Sequence, residues 1–574
     1  MLTVYRASAG SGKTYRLTLE YLKLLFSAKE RDAYRHILAV TFTNKATGEM
    51  KRRIIQELFV LAHGVRNSDY FKELTSFTGF NEPDLQGKAK EILFSLLHDF
   101  SSFSIDTIDR FFQQTTRAFT REIGLQGGYN LEIDNSRVLS EAVDRMLFEL
   151  EDSSSKELLS WLLKFSEEKV ENAESWNIRK DIEALSGEIF KETYKTYSRE
   201  LLALTADKKV LKEYISELSK IRNMFESFLQ ELGEEGLRLL SHFQLQAADF
   251  KGGKNSPFSH FEKWASGIIK EPTVTFTKLA GDIAQWYTKT TAPEIRARIE
   301  EAYNGGLNDC IEKALKCFEL YPRYLSVVET SRYFYTLGIL SDIDRNVRAY
   351  EQEHNLLLLS DTTELLNRVI DGSDTPFVYE KIGTRIDNLM IDEFQDTSNM
   401  QWANFSPLFK DSLDRGKNSL IVGDVKQSIY RWRNSDWKLL HDRLKQSFGA
   451  GQMADNVLDT NWRSSSQVIA FNNVVFQMSS RVLQDILNDH MADAPVSDDE
   501  VKDFKNKIVD AYSDTYQHVP PKNKDYMGHV SIFFKDTTDE IPWRERALED
   551  IPDVLKRLQD QGLRLKDIAF LVRY

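Results

Sequence analysis

The chain has 574 residues, more than one hydrophobic core supports, so three or four domains are expected, some assembled from discontinuous segments. With 41% apolar residues, 28% charged residues and 12 prolines, its composition is that of a helix-rich globular protein and excludes a disordered or fibrous one. The net charge of -13 excludes a body coated in phosphate-binding cations but leaves room for a local basic groove.

The first apolar run, "LTVYRAS" (2–8), reads as a buried strand feeding the loop "ASAGSGKT" (7–14). A phosphate loop needs backbone N–H groups that converge on an anion, glycines for close approach, and a following helix whose N-terminus adds positive charge. Ala7, Ser8, Ala9, Gly10, Ser11 and Gly12 would form that loop, with Lys13 as a point charge for the β and γ phosphates and Thr14 as a hydroxyl ligand for Mg²⁺. Ala7 stands where the first glycine is usual, a modest departure because the tight part of the loop lies nearer Lys13. A helix over 15–28 follows, with Leu17, Tyr21, Leu24 and Leu25 at helical spacing. The strand "HILAVTFTN" (36–44) and a helix over 45–62 repeat the alternation, and "SDYFKELTSFTGFNEPD" (68–84) reads as a surface loop.

Between 130 and 352 the pattern changes to long, charge-rich helices such as "EYISELSKIRNMFESFLQELGEEGLRLL", interrupted by the loop "FKGGKNSPF" (250–258). Cys310 and Cys317 fall on one face of one such helix, too far apart to bond, and so small a cysteine content suits a reducing compartment. The strands resume with "DNLMIDE" (387–393) and "NSLIVGD" (418–424). In an open α/β sheet the ligand site lies beyond the carboxyl ends of the strands, where Lys13, Thr43, Asp392 and Asp424 are expected to converge. Past 476 an acidic loop leads to a strand at "GHVSIFFKD" (528–536), a helix within 545–562 and a strand at "KDIAFLVRY" (566–574), the opening of a second α/β unit. No run of about 18 apolar residues is long enough for a bilayer, and a charged loop occupies the place of a signal peptide, so no membrane partner and a cytoplasmic location are expected.

Three further stretches carry chemistry. "LMIDEFQDTS" (389–398) puts Asp392 and Glu393 at a strand end, where one carboxylate would hold Mg²⁺ and the next activate water; alone, such a pair also fits a solvated strand end. Gln395 and Asp396 would couple that end to neighbouring segments. "IVGDVKQSIYRWRNSD" (421–436) combines Gln427, a candidate γ-phosphate sensor, with Tyr430, Arg431, Trp432 and Arg433, the aromatic and guanidinium mixture that stacks on unpaired bases; Trp432 also fits a core anchor. "LDTNWRSSSQVI" (458–469) adds Trp462 and Arg463, an aromatic for adenine and an arginine for the γ-phosphate, or equally a buried tryptophan and a loop ion pair.

In order, these stretches resemble the motifs of superfamily-one DNA helicases of the UvrD/Rep type. "AVTFTNKATGEMKRRI" (39–54) is similar to motif Ia, "IDEFQDTS" to Walker B, "VGDVKQSIYRWR" to motif III and "NWRSSSQVI" to motif IV. "ASAGSGKT" and "GDVKQSIY" lean toward the RecB/AddA helicase-nuclease branch, where alanine is ordinary at the position of Ala7. The resemblance implies an α/β fold: a RecA-like P-loop NTPase domain, 1A, built from 1–129 and 353–475, a helical insertion, 1B, at 130–352, and the beginning of a second RecA-like domain, 2A, at 476–574. It implies ATP and Mg²⁺ as cofactors, with catalytic roles for Lys13, Glu393, Gln427 and Arg463, metal binding by Thr14 and Asp392, and adenine stacking on Trp462, where tyrosine is usual. Single-stranded DNA would meet Phe42, Thr43, Asn44, Tyr430, Trp432 and Arg433.

The implied function is the motor portion of an ATP-dependent 3′–5′ DNA helicase in repair and recombination, nucleoid-associated in the cytoplasm. It would act on DNA ends beside a nuclease or helicase subunit of an AddAB/RecBCD-like complex. Three departures stand out. The lead-in before Leu2 has no room for the upstream glutamine that reads adenine, Asp109 replaces a DNA-contacting histidine, and motifs V and VI, with a second-domain arginine worth roughly 10³–10⁵ in rate, would lie past Tyr574. On that basis the chain is expected to bind ATP better than it hydrolyses it. A non-motor module that clamps DNA or a partner in response to ATP is the alternative; a P-loop kinase or transporter ATPase is disfavoured because neither uses "QSIYRWR" with "NWRSS".

Overall fold

The computed structural model describes residues 1–120, 128–151, 156–171, 173, 175–206, 208–253, 256–371, 383–449, 451–492, 498–534 and 542–572. Eight strands occur there: β1 (Leu2–Ala7), β2 (Ile37–Thr41), β3 (Ile105–Thr107), β4 (Asn130–Glu132), β5 (Leu356–Leu358), β6 (Asn388–Ile391), β7 (Ser419–Gly423) and β8 (Met453–Leu458). Six form one sheet in the order β3-β2-β6-β7-β1-β8, and every pairing described in it is parallel. The fold is therefore the expected α/β, RecA-like P-loop arrangement. β3 and β8, both short or half-exposed, were not foreseen as strands.

The strands read as continuous apolar runs because both faces of the sheet are covered. Side chains alternate between two cores: Ile37 and Ala39 of β2 join the one that holds Leu17, Leu22 and Ile54, while Leu38 and Val40 join the one that holds Phe112, Phe405 and Leu408. The first is built by helices α1 (Lys13–Ser27) and α2 (Asn44–His63), close to the expected spans. The stretch 68–84 is not a loop: Phe71–Thr78 is a helix, Glu82 opens another that runs to His98, and Tyr70 and Leu74 are buried. Apolar side chains every three to four residues outweighed its glycine and polar content.

The small β4–β5 pair marks where the chain leaves for the helical insertion and returns from it. The insertion holds two cores of its own, spanned by the 35-residue helix Lys208–His242, which at 1.5 Å per residue is roughly 50 Å long. Leu211 and Leu218 near its start enter one core; Phe225, Leu229 and Leu240 enter the other. "FKGGKNSPF" is a connection, but its ends are interior: Phe250 and Phe258 are buried with ring centroids 3.7 Å apart. Cys310 and Cys317 are free thiols packed with this second core.

Residue 476, where the second unit was expected to begin, lies within the helix Ser466–Ala492, and the last strand of the sheet ends at Leu458. One expectation about the C-terminal part is corrected. The described residues of the two expected strands, 528–534 and 566–572, form none. Phe534 is 91% and Leu571 98% exposed, and a strand needs a neighbour to take its backbone hydrogen bonds. The helical expectation between them holds as Trp543–Glu549 and Ile551–Asp560. Among the described residues no helix is long and apolar enough to cross a membrane.

Candidate functional site

Four strand ends deliver the site: β1 runs into the 8–12 loop, β2 into Phe42, β6 into Asp392 and Glu393, and β7 into Asp424. In the loop Gly10 has φ 76° and Gly12 φ 88°, left-handed values that favour glycine. At Gly10 a Cβ would also lie 2.6 Å from Asn461 Oδ1. Helix α1 starts at this loop with Gly12 as its cap, no side-chain capping bond and no acidic residue in its first turn, which leaves its amide end for an anion. Ser11 Oγ is buried there with no hydrogen-bond partner among the described residues. These features fit a phosphate.

Lys13 Nζ donates to both carboxylate oxygens of Glu393, at 2.9 and 2.8 Å, and lies 3.4 Å from Gln427 Oε1. Gln395 occupies the centre of the network: its Nε2 donates to Glu393 at 2.8 Å and its Oε1 accepts the Asp424 N–H at 2.9 Å. Gln427 Nε2 donates to Asp424 at 2.7 Å. Of the residues expected to act on the γ-phosphate, Lys13 thus contacts both Glu393 and Gln427. Glu393 adopts φ 51°, a left-handed conformation that costs a non-glycine residue on the order of 1 kcal/mol and is held by this network.

Burial, and then the charge of Glu393, push the Asp392 carboxyl up to about 7, against the pull of Lys13. The same two causes raise Asp396 to about 7. Three carboxyls around one ammonium make a site short of positive charge, which Mg²⁺ at Asp392 would supply. No group of three or more His, Cys, Asp or Glu able to hold a metal occurs among the described residues, so Thr14 and Asp392 would need phosphate oxygens and water to complete the shell.

The 459–465 segment already touches the phosphate loop. The Trp462 N–H donates to Gly10 O at 2.9 Å, and its ring edge lies 3.7 Å from where a Cβ on Gly12 would sit. Trp462 is 48% exposed with Lys522 Nζ 5.1 Å from its ring, so it is not a buried anchor. Arg463 has its N–H held by Asn461 Oδ1 at 2.9 Å and an exposed side chain; among the described residues no hydrogen bond joins it to Lys13, Glu393 or Gln427.

On the other side of this network a row of aromatics begins. Phe42 packs on Tyr430 with centroids 4.6 Å apart, and Tyr430 lies 6.1 Å from Trp432. Trp432 is 69% exposed, which excludes the core-anchor role. Phe42, Asp109 and Trp432 line a cleft of about 960 Å³ whose opposite wall is the insertion, including Asn135, Lys180 and Lys191. Thr43 and Asn44, which follow Phe42, are exposed, with Thr43 Oγ1 capping α2 by accepting the Ala46 N–H at 3.2 Å. The Arg433 side chain lies outside the described residues. This loop is tied back to the nucleotide network: Ser428 Oγ donates to Gln395 O at 3.2 Å, and the Asp436 N–H donates to Thr397 O at 3.1 Å.

Sequence reasoning found the strand-end residues but missed Asn461, Asp514, Gln517 and Lys522. Asp514, Gln517 and Lys522 follow a long helix and belong to no motif; only the structure folds them back onto the loops of the site. Asn461 sits one residue before Trp462 and was legible as part of "NWRSS".

The model of the UvrD/REP helicase N-terminal domain matches residues 2–448. Similar proteins include an ATP-dependent helicase/nuclease subunit of Streptococcus sanguinis (strain SK36), 26% identical over 82% of this chain and 37% of its own. The protein of the same description from Lactococcus lactis subsp. cremoris (strain SK11) is 22% identical over 99% of this chain and 46% of its own. RecBCD enzyme subunit RecB of Haemophilus influenzae is 22% identical over 100% of this chain and 47% of its own. The chain spans less than half the length of these relatives. With a family match over most of its residues and with the loop, strand ends and aromatic row in place, the chain belongs to the UvrD/REP helicase family.

Proposed function

We propose that this chain forms the ATP-binding core of a DNA helicase motor, moving 3′ to 5′ on single-stranded DNA and working in repair and recombination of DNA ends. The observation that carries this most is the unbroken contact path from Lys13 through Glu393 and Gln395 to the 428–436 loop, where the aromatic row faces the cleft. A γ-phosphate that takes Lys13 away from Glu393 would change a hydrogen bond at Gln395, and so the support of the loop that carries Trp432.

In this scheme the backbone of 8–14 and Lys13 hold the phosphates, while Thr14 and Asp392 hold Mg²⁺. Bound Mg-ATP supplies the cleavable phosphoanhydride and the charge that the carboxyl cluster lacks. Glu393, released from Lys13, orients and deprotonates the attacking water; Gln427 and Arg463 face the transferred phosphoryl group, and Trp462 stacks on adenine. Phe42, Thr43, Asn44, Tyr430, Trp432 and Arg433 receive the strand. The names of the relatives support a helicase-nuclease setting with another polypeptide as partner, and a cytoplasmic location is part of the same proposal.

Base stacking on an exposed indole is worth about 1–3 kcal/mol. Trp432→Ala therefore lowers affinity for a fluorescent oligo-dT by about tenfold in an anisotropy titration, with ATP affinity little changed. Equal DNA affinity in the variant and the wild type would remove Trp432 from the strand path.

A further inference from the structure

The segment 514–518 lies across three loops of the nucleotide site. Asp514 accepts a 2.7 Å bond from Lys426, next to Gln427. His518 pairs with the 459–461 backbone, its N–H donating to Asp459 O at 2.8 Å and its carbonyl accepting the Asn461 N–H at 2.9 Å. Between them Gln517, only 9% exposed, reaches the phosphate loop itself: its Nε2 donates to Ala9 O at 2.8 Å.

Every other polar group of Gln517 is also engaged. Its Oε1 accepts from Asn461 Nδ2 at 2.8 Å, its N–H donates to Asn473 Oδ1 at 2.9 Å, and its carbonyl accepts from Asn473 Nδ2 at 2.9 Å. Asn461, 4% exposed, uses its Oδ1 to hold the N–H groups of Arg463 and Ser464, both at 2.9 Å. One carboxamide therefore joins the phosphate loop to the side chain that shapes the Trp462–Arg463 turn. No cis peptide occurs among the described residues, and in a planar trans peptide the C=O and the following N–H point in opposite directions. Fixing Ala9 C=O toward Gln517 thus turns the Gly10 N–H to the opposite side, away from the 514–518 segment. A carboxamide with both ends used and so little exposure has little freedom to let that peptide flip.

We propose that Gln517 is a positioning residue for nucleotide phosphate, setting the Ala9–Gly10 peptide and locking it to the turn that carries Trp462 and Arg463. The proposal rests on the phosphate-loop assignment made above. It makes phosphate affinity and the placement of the adenine-side turn properties of one buried side chain, contributed by a segment 508 residues from the loop it orients.

The test is titration of the full chain with mant-ADP in Mg²⁺, with nucleotide-free melting as a fold control. Gln517→Leu weakens binding by about tenfold, because a buried carbonyl and a buried amide each lose a partner. Asn461→Ala also weakens it, and the double variant is no worse than the poorer single one, since both break one path. Should Gln517→Leu prove unstable, Gln517→Glu keeps the size but places an acceptor against Ala9 O. Its affinity relative to wild type then rises as pH is lowered from about 9 to about 6 and the carboxyl regains a proton to donate, a response that general loosening of the fold would not give. Wild-type affinity in Gln517→Leu, losses that multiply in the double variant, or a pH-independent Gln517→Glu ratio would each overturn the proposal. Lys13→Ala separates the two levels: if wild type and Lys13→Ala bind mant-ADP equally, the phosphate-loop assignment itself fails.

Discussion

Lys13→Ala lowers Mg-ATP affinity by at least about a hundredfold in a mant-ATP titration, the larger of the two effects expected on binding. Two losses act together. The ammonium no longer makes its charge-assisted bonds to the β and γ phosphates, and Glu393, which pairs with it at 2.8 Å, is left as an uncompensated anion facing the incoming phosphate. The pair is largely shielded, with the Lys13 side chain 14% exposed, so water only partly makes up the difference. Removing the ammonium also removes the group that holds the Asp392 and Asp396 carboxyls down, so both titrate still higher in the variant. Affinity within a few fold of wild type would show that the 7–14 loop does not bind phosphate.

Glu393→Gln gives the opposite pattern. It lowers the turnover of ATP by about 10²–10⁴, the range for loss of a positioned general base, yet leaves ATP affinity intact or a few fold tighter. The tightening follows from the two bonds between Lys13 and Glu393, which compete with phosphate for the ammonium. The neutral amide still reaches Gln395 but neither neutralises Lys13 nor repels the γ-phosphate. Steady-state hydrolysis together with direct ATP binding separates the two effects, and a loss of binding equal to the loss of turnover would assign Glu393 to phosphate binding instead of water activation.

How much of this was legible in the sequence depended on whether a residue's role is local. The phosphate loop, the Asp392–Glu393 strand end and the aromatic 428–436 loop are contiguous stretches whose residue types follow from anion binding, metal binding and stacking, and the structure brings Lys13, Glu393 and Gln427 into contact. The parallel sheet was legible because strands buried on both faces carry near-continuous apolar runs, as the fully buried β2 and β7 do. β3 escaped because three residues carry too little pattern, and β8 because Asp455, Asn456 and Val457 on the sheet edge are exposed. The helix at 71–78 was hidden by a polar, glycine-flanked sequence in which Leu74 is nonetheless buried. Gln517 carried no local signal: its meaning depends on Ala9, which is 508 residues away.

Two of the exposed tryptophans, Trp432 and Trp462, show the complementary point. A tryptophan in a polar loop fits a core anchor or a ligand platform equally well by sequence, and only accessibility decides. Trp432 and Trp462, at 69% and 48% exposed, are open to a ligand, whereas Trp161, Trp264 and Trp286 are fully buried in the insertion. Each buried indole N–H donates to a backbone carbonyl, of Tyr335, Lys270 and Leu279 respectively.

If one contact path couples the ATP site to the DNA cleft, linkage gives a direct measurement of it: the affinity of the chain for oligo-dT, by anisotropy, without nucleotide and with saturating Mg-ATPγS. Coupling free energies of about 1–3 kcal/mol correspond to a change of about fivefold or more. Such a change is expected in the wild type, and its loss in Gln395→Ala, which keeps both sites but cuts the path between Glu393 and Asp424. DNA affinity that is the same with and without nucleotide in the wild type would contradict the coupling.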